Sequence, residues 1–192
     1  PVQTAPVPDD GVACSAIPKE YATFGNPFHE RDRRVEAAFV TVLERLQPDV
    51  IHFQHLMNLS LRLPLIARSR GIVSCYTLHD FWLLCARAFL LRPDLRQCMD
   101  ESLPCWRCCE DQMRLYRRDA DARGIIAILK QLGKSIANRA EKLRYQYALG
   151  LWRPYRMWRI MRSVDRFIAP SRFLQAQYER AGLDRRKIIF LS

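Results

Sequence analysis

A histidine and an aspartate lie side by side in the segment Thr77-Leu-His-Asp80, at the end of a short apolar run. The run, residues 72–78, is typical of a buried parallel strand, and open α/β sheets bind ligands beyond the carboxyl ends of such strands. There His79 can donate a hydrogen bond to a phosphate or sugar oxygen, while Asp80 can hold the imidazole in place or bind sugar hydroxyls. Both are candidate catalytic residues. The alternative is a loop histidine whose hydrogen bonds go only to the backbone.

A second candidate follows another apolar run, in the segment Ala169-Pro-Ser-Arg172. Ser171 occupies the position of a helix N-cap, and the free N–H groups at a helix N-terminus attract anions. Arg172 adds a positive charge at the same point. We predict that Ser171 and Arg172 bind substrate at a cleft edge, although a serine N-cap needs no ligand. Of the two histidines around a third run, 50–53, His52 is expected in the core and His55 at the cleft.

Four of the seven cysteines fall between residues 98 and 109. Cys105 and Cys108 have the spacing of a metal knuckle, and Cys98 supplies a third thiolate. The odd number of cysteines, in a chain without a recognisable export signal, argues against a disulfide framework. The pattern favours a structural zinc site, with Cys109 as one possible fourth ligand. Reduced cysteines without a metal are the alternative.

Residues 139–162 form a basic and aromatic stretch with seven Lys and Arg residues and a single Glu. If Pro154 begins a helix there, Met157, Ile160, Met161 and Val164 share one face, which we expect in the core. Tyr155, Trp158, Arg159 and Arg162 share another. Aromatic rings beside guanidinium groups suit anionic lipid headgroups, so Trp158, Arg159 and Arg162 are predicted to face a membrane. A solvated helix is the alternative.

The composition is that of a globular chain with an anionic partner. With 192 residues, 49% of them hydrophobic and 27% charged, it buries a core, which excludes disorder and collagen-like repeats. The net charge of +11 does not by itself choose among nucleotide, nucleic acid and anionic lipid. No apolar run is long enough to cross a bilayer and no secretory signal is visible, so a cytoplasmic location is expected. Because the chain begins at Pro1 and ends in a strand-like run, we expect a piece of a longer protein.

Helical and strand patterns alternate along most of the chain. Helical spacing over about 29–46 precedes the run at 50–53, and a helix over about 56–70, ended by Gly71, precedes the run at 72–78. After a cysteine-bearing segment come a long helix, about 122–149, and a shorter one from Pro154. Strand, helix and strand then resume at 166–169, 171–181 and 187–191. This order predicts an α/β fold, a Rossmann-like parallel sheet with helices on both faces and a Cys-rich, helical insertion.

Three segments together resemble the amino-terminal domain of GT-B glycosyltransferases of family 4. They are Pro48-Asp-Val-Ile-His-Phe-Gln-His55, Thr77-Leu-His-Asp-Phe-Trp-Leu-Leu-Cys85 and Asp165-Arg-Phe-Ile-Ala-Pro-Ser-Arg-Phe173. They occur in the family's order and at plausible spacing, from about residue 29 to the end. The resemblance divides the chain into an irregular segment, 1–28, and a Rossmann-like domain, 29–192, with an insertion at about 85–163.

The resemblance implies a retaining hexosyltransferase with two Rossmann-like domains facing across a cleft. The amino-terminal domain shapes the acceptor side, and the carboxyl-terminal domain grips the nucleotide sugar. The residue that matches the family's histidine, His79, would point at the donor sugar and its diphosphate, and Ser171 would lie at the same cleft edge. No metal or other cofactor is implied for catalysis. Similar proteins carry a cysteine after the His-Asp-Phe-Trp segment, which implies Cys85 as a zinc ligand together with Cys98, Cys105 and Cys108.

Two family features are not visible in the sequence: the first strand with its glycine-rich loop, and the donor-binding domain with its paired glutamates. We therefore expect this chain to be inactive alone. Its expected partners are a nucleotide sugar, a glycan or lipid-linked acceptor in polysaccharide biosynthesis, and the inner face of a membrane. The alternative is a basic nucleic-acid-binding or scaffolding module with a structural Cys metal site. Nucleic acid is disfavoured, because no nucleic-acid-binding motif is present.

Overall fold

A computed structural model describes residues 3–4, 15–16, 31–57, 59–92, 94–98, 105, 108–109, 143 and 146–191. The chain forms two compact units, the first comprising residues 1–79 and 159–192 and the second residues 80–158. Most of the predicted long helix over 122–149 lies outside the described residues. Among the described residues, no helix combines the length and the apolar character needed to cross a membrane.

The first unit contains a four-stranded parallel sheet with strand order β3-β4-β5-β6. The strands are β3 (Val50–Phe53), β4 (Val73–Thr77), β5 (Arg166–Ala169) and β6 (Ile188–Phe190). Two short strands, β1 (Gln3–Thr4) and β2 (Ser15–Ala16), pair antiparallel in a separate sheet. The predicted parallel, Rossmann-like α/β fold is confirmed.

Helix α1 (Arg33–Leu46) begins later than the predicted residue 29 because Asp32 caps it. The carboxylate of Asp32 accepts hydrogen bonds from the amides of Arg34 (2.9 Å) and Val35 (3.2 Å). The helix ends at Gln47, which adopts the left-handed conformation with φ 45° directly before Pro48. Its Phe39 ring lies 6.1 Å from the Phe53 ring, so the helix packs on β3.

Helix α2 (Leu63–Ser69) is much shorter than the predicted 56–70. Pro64 lies in its first turn, where a missing N–H is tolerated, and residues 59–62 directly before the helix are not helical. Gly71 ends the helix as predicted. Its φ of +72° is in the left-handed region, which glycine adopts at little energetic cost because it has no Cβ atom.

Strands β4 and β5 are joined at their amino ends by Asp165 and Ser74. The Asp165 carboxylate accepts hydrogen bonds from the Ser74 amide (2.8 Å) and hydroxyl (3.2 Å), and the Asp165 amide donates to the Ser74 carbonyl (3.1 Å). Further along, the buried rings of Tyr76 and Phe167 lie 6.0 Å apart. These contacts fix the register that determines which side chains meet beyond the strands.

Helix α3 (Arg153–Ser163) follows a π-helical turn, Ala148–Trp152. Of the four residues predicted to face the core, Met157, Ile160 and Val164 are buried and Met161 is half-buried. The carbonyl of Arg162 at its carboxyl end accepts hydrogen bonds from Arg68 (2.7 Å) and Lys187 (3.0 Å). Two cations therefore satisfy the carbonyl end of the helix dipole. Burial lowers the pKa of Lys187.

Helix α4 (Arg172–Arg180) connects β5 to β6 along the chain. Its Leu174 and Tyr178 side chains are buried. Its bounds differ from the predicted 171–181 by one residue at each end, because Ser171 and Ala181 are its caps. The second unit is described largely by residues 80–98 and 146–158. There Leu83, Cys85, Cys109 and Leu149 are buried.

Candidate functional site

Polar side chains gather where β3, β4 and β5 end. Gln54 and His55 follow β3, His79 lies two residues beyond β4, and Ser171 lies two residues beyond β5. The strands are parallel and adjacent, so their carboxyl ends lie at one edge of the sheet. The structure therefore brings His79 and Ser171 to the same edge, where open α/β sheets bind ligands.

His79 contacts a hydrogen-bonded network made by the ends of β3 and β4. Its Nε2 atom lies 2.8 Å from the Oε1 atom of Gln54. The Gln54 amide nitrogen lies 3.2 Å from Nδ1 of His52, and Nε2 of His52 lies 2.7 Å from the Thr77 hydroxyl. We call these four residues, His52, Gln54, Thr77 and His79, the strand-end network. It holds two imidazoles at the carboxyl edge of the sheet.

The register of β3 and β4 explains why these side chains meet. Val50 pairs with Val73, and the pairing continues to Phe53 and Tyr76. Continued by one residue, this register sets Gln54 opposite Thr77. Side chains two residues apart along a strand point to the same face. The pattern therefore predicts one polar face for the strand-end network.

Gln54 fixes the tautomer of His79 in this arrangement. The amide oxygen can only accept, so the ring nitrogen bonded to it, Nε2, must carry a hydrogen. In the neutral ring, Nδ1 of His79 is then the nitrogen with a lone pair for a ligand.

His52 corrects one expectation. The sequence pattern suggested a core residue, but the His52 side chain is exposed and hydrogen-bonded. The reason is that β3 is the terminal strand of the four-stranded sheet described, and its first residue, Val50, is also exposed. An apolar run of four residues does not reveal whether its strand lies inside a sheet or at its side.

His55 is half-buried and its Nδ1 atom accepts a hydrogen bond of 2.8 Å from the Met57 amide. Because Nδ1 is the acceptor, Nε2 carries the hydrogen in the neutral ring. His55 therefore presents an N–H donor beyond β3. Its role as a substrate-binding residue stays a prediction.

Ser171 acts as the N-cap of α4. Its backbone is extended, and its hydroxyl accepts a hydrogen bond of 3.1 Å from the Leu174 amide. The Ser171 side chain is exposed, and the first turn of a helix retains N–H groups that attract anions. The guanidinium of Arg172 lies 4.7 Å from the centre of the Phe190 ring, which holds that charge by a cation–π contact. Capping and anion binding are compatible at this position.

Asp80 belongs to the second unit. Its carboxylate accepts a hydrogen bond of 2.8 Å from the Trp82 amide, which closes a local turn. Nearby, the Phe81 amide donates to the Ala88 carbonyl (3.0 Å). The role of Asp80 as the residue that orients His79 stays a prediction.

Three cysteines of the second unit, Cys105, Cys108 and Cys109, have raised pKa values. Burial, together with Cys108, Cys85 and Cys105, raises the pKa of Cys109 to about 12. Burial also raises the pKa of Cys108, which the nearby charge of Arg87 opposes. Among the residues that the structure describes, no three Cys, His, Asp or Glu side chains are grouped as metal ligands. The zinc site of Cys85, Cys98, Cys105 and Cys108 therefore stays a prediction.

Helix α3 presents the predicted membrane-facing residues on its surface, since Trp158, Arg159 and Arg162 are all exposed. Arg153 is different, because it is buried. Its guanidinium donates to the carbonyls of Trp82 and Cys85 and lies 5.6 Å from the centre of the Trp82 ring. Arg153 of the basic stretch is therefore part of the interior of the second unit and is not available at its surface.

Sequence reasoning missed Gln54 and Thr77 as site residues. A signal was present in the sequence, because His52-x-Gln54 and Thr77-x-His79 repeat the same spacing at the ends of two adjacent strands. Polar residues at alternate positions share a face, so two such pairs indicate one polar surface. Which residues hydrogen-bond to each other depends on the register, which the pattern does not contain.

Comparison with protein families finds a match to the model described as Glycosyltransferase Family 4, over residues 4–191. No curated protein and no solved structure shows significant similarity to the chain. The family match covers nearly the whole chain, including all four strands of the parallel sheet. The chain therefore belongs to glycosyltransferase family 4.

Proposed function

We propose that the chain is the acceptor-side domain of a retaining glycosyltransferase. It would transfer a hexosyl group from a nucleotide sugar to a glycan or a lipid-linked acceptor in polysaccharide biosynthesis. The observation that carries the proposal is the position of His79 at the carboxyl edge of the parallel sheet, with Nε2 bonded to Gln54 at 2.8 Å. That edge is where sheets of this type bind phosphorylated ligands.

The proposed role of His79 is to contact the donor sugar and to polarise it as charge develops in the transition state. Since Gln54 accepts the Nε2 hydrogen, Nδ1 is the atom that would meet the sugar. Protonated, it donates to an oxygen; neutral, it accepts from a hydroxyl. We assign Gln54 as the positioning residue for this ring, beside the orienting role predicted for Asp80.

Ser171, Arg172 and His55 are proposed to bind substrate beside His79. The helix that Ser171 caps directs N–H groups outward, and these would bind a phosphate oxygen of the donor or acceptor. Arg172 would contribute charge, and His55 an N–H donor from Nε2. Together with His79, residues beyond the ends of β3, β4 and β5 would thus contact one anionic ligand.

In the proposed reaction the acceptor hydroxyl attacks the anomeric carbon on the face that the nucleoside diphosphate leaves. The new glycosidic bond forms as the bond to the diphosphate oxygen breaks, and the leaving phosphate takes the hydroxyl proton. No carboxylate of this chain is required as a nucleophile. We propose no metal or other cofactor for this step.

The donor would be gripped mainly by a second Rossmann-like domain, as in the enzymes that the sequence resembles. We therefore propose that the 192-residue chain binds substrate without turning it over. A cytoplasmic location fits the described cysteines, which are free thiols of the kind that a reducing compartment maintains.

A titration with three ligand classes tests the proposal against the nucleic-acid alternative. The purified chain is titrated with UDP-, GDP- and dTDP-hexoses, with a short-chain polyprenyl-diphosphate sugar, and with a DNA duplex. We expect saturable binding of at least one sugar ligand that is weakened by His79→Ala. Arg33→Ala, at an exposed position of α1, is the control and should bind like the wild type. Strongly salt-dependent binding of the duplex alone would instead support a nucleic-acid-binding module.

A further inference from the structure

An exposed stripe of large apolar side chains lies along residues 143–158. We call it the aromatic stripe; its members are Leu143, Tyr147, Leu151, Trp152, Tyr155 and Trp158. Most of them lie three or four positions apart, the spacing that places side chains on one helix face. Leu143 and Leu151 are 65% and 67% exposed, and Trp158 is 48% exposed. Soluble proteins scatter such residues singly, whereas a contiguous patch of them marks an interaction surface.

The four rings of the stripe form a continuous series. Ring centres lie 6.5 Å apart for Tyr147 and Trp152, 6.1 Å for Trp152 and Tyr155, and 6.4 Å for Tyr155 and Trp158. The guanidinium of Arg156 lies 4.6 Å from the centre of the Trp152 ring. The rings are therefore held in place at the surface by contacts with one another and with Arg156. Their exposed arrangement is an ordered part of the fold.

The apolar residues that this segment contributes to the protein interior are different ones. Leu149, Met157 and Ile160 are buried, so burial does not explain why the stripe residues are apolar. The segment is also uniformly cationic. Residues 143–163 include five arginines and neither Asp nor Glu. Arg153 is buried, while Arg159 and Arg162 are exposed on the later turns of α3.

We infer that the aromatic stripe docks on the surface of an anionic phospholipid bilayer. Its rings and leucines would enter the boundary between headgroups and acyl chains, and Arg156, Arg159 and Arg162 would pair with lipid phosphates. Two features favour lipid over other partners. A carbohydrate surface needs carboxylates and amides for hydroxyls, and residues 143–163 offer only Gln146. A nucleic acid would use the rings and arginines but would gain nothing from Leu143 and Leu151.

Sedimentation with vesicles of stated composition tests this inference on the 192-residue chain, without any sugar ligand. Its outcome is therefore independent of the proposed function. Vesicles of phosphatidylcholine with 30% phosphatidylglycerol are compared with pure phosphatidylcholine, at about 0.1 M salt, where exposed charges still act over about 10 Å. We expect binding to the anionic vesicles, weaker binding to the neutral ones, and a blue shift of tryptophan emission on binding. A wild-type chain that stays in the supernatant with anionic vesicles would overturn the inference.

Two variants separate the contributions of charge and apolar surface. Arg156→Glu/Arg159→Glu/Arg162→Glu should lower the vesicle partition coefficient on the order of 100-fold, because each interfacial arginine contributes about fivefold. Tyr155→Ser/Trp158→Ser should lower it at least ~10-fold and abolish most of the blue shift. None of the five changed side chains is buried, so circular dichroism of both variants should match the wild type.

Two control variants make the same types of substitution at exposed positions outside the aromatic stripe. Arg33→Glu/Arg45→Glu/Arg180→Glu makes the same change in net charge at exposed positions of α1 and α4, and Phe89→Ser/Leu46→Ser removes two other exposed apolar side chains. We expect each control to retain binding within about threefold, since a peripheral charge acts only within a Debye length. Equal loss in a control and its partner variant would contradict docking by the stripe. A dimer that Tyr155→Ser/Trp158→Ser dissolves, or capture by single-stranded DNA in place of vesicles, would also contradict it.

Discussion

The Nε2 atom of His79 lies 2.8 Å from the Oε1 atom of Gln54, although the two residues are 25 positions apart in the chain. The contact exists because parallel pairing aligns the ends of β3 and β4. The same pairing brings His52 and Thr77, also 25 positions apart, to 2.7 Å. The orientation of the candidate catalytic imidazole is thus a consequence of strand register.

Removing the Gln54 side chain should release His79. In Gln54→Ala we expect the ¹⁵N chemical shift of His79 Nε2 to change, because the Nε2 hydrogen loses its Gln54 acceptor. Binding of a sugar ligand should weaken about fivefold, the value of one ordinary hydrogen bond. Gln175→Ala removes a comparable amide, bonded to Glu179 at 3.0 Å in α4, and should change neither quantity. An unchanged Nε2 chemical shift of His79 in Gln54→Ala would show that Gln54 does not position the ring.

Ser171 is predicted to have two separable roles, as a helix cap and as part of an anion site. Ser171→Ala should lower the free energy of unfolding by about 1 kcal/mol, which corresponds to a decrease in Tm of about 3 °C for a chain of this size. Ser171→Asp should restore the cap and the stability. Its negative charge should nevertheless weaken binding of a phosphorylated ligand. If Ser171→Asp binds that ligand as tightly as the wild type, the anion role is wrong.

The carboxyl group of Asp184, in the turn before β6, should titrate at unusually low pH. The Asp184 carboxylate accepts hydrogen bonds from the Arg186 guanidinium (2.9 Å) and amide (3.0 Å), which lower the pKa of Asp184 to about 2 from an ordinary value of 3.8. Because the folded value lies below the unfolded one, this stabilisation is present above about pH 4 and is lost as the pH falls towards 2.

Carboxyl ¹³C NMR across this pH range measures the effect directly. Arg186→Ala should return the titration of Asp184 towards 3.8. Arg185→Ala removes the neighbouring arginine, which pairs with Glu179 at 3.1 Å, and should leave the Asp184 titration near its wild-type value. A normal Asp184 titration in the wild-type chain would mean that the carboxylate and guanidinium do not pair in solution.

The cysteine prediction is tested by metal content. If Cys85, Cys98, Cys105 and Cys108 bind zinc, protein purified under reducing conditions should contain about one equivalent, and Cys98→Ser should lose it. Cys75→Ser is the matched control, since Cys75 lies in β4 of the other unit. Less than about a tenth of an equivalent of zinc in the wild type would remove the prediction.

The sequence predicted the parallel sheet well because its strands are separated by clear helix boundaries. Strand β5 was predicted at its observed bounds, and Pro170 and Ser171 marked the start of the following helix. Helix α2 was predicted too long, because apolar residues at 56 and 61 continue its spacing while Pro64 fixes its real start. Local signals therefore fixed the elements wherever a cap, a proline or a glycine stood at the boundary.

The candidate site was predicted only in part, because its geometry is set by pairing between strands. His79 and Ser171 could be found as single residues after strands, without reference to their neighbours. Gln54 acquires its partner only through the register of β3 with β4, and His52 its exposure only through the terminal position of β3. Both properties depend on long-range contacts that a local pattern does not specify.

The most direct test follows the ring nitrogens of His79 by ¹⁵N NMR while the sugar ligand that binds in the titration is added. We predict a saturable change at Nδ1, with Nε2 still hydrogen-bonded to Gln54, and no change at a histidine remote from the strand ends. Binding that leaves both His79 nitrogens unperturbed would place the ligand elsewhere and contradict a sugar site at the ends of β3, β4 and β5.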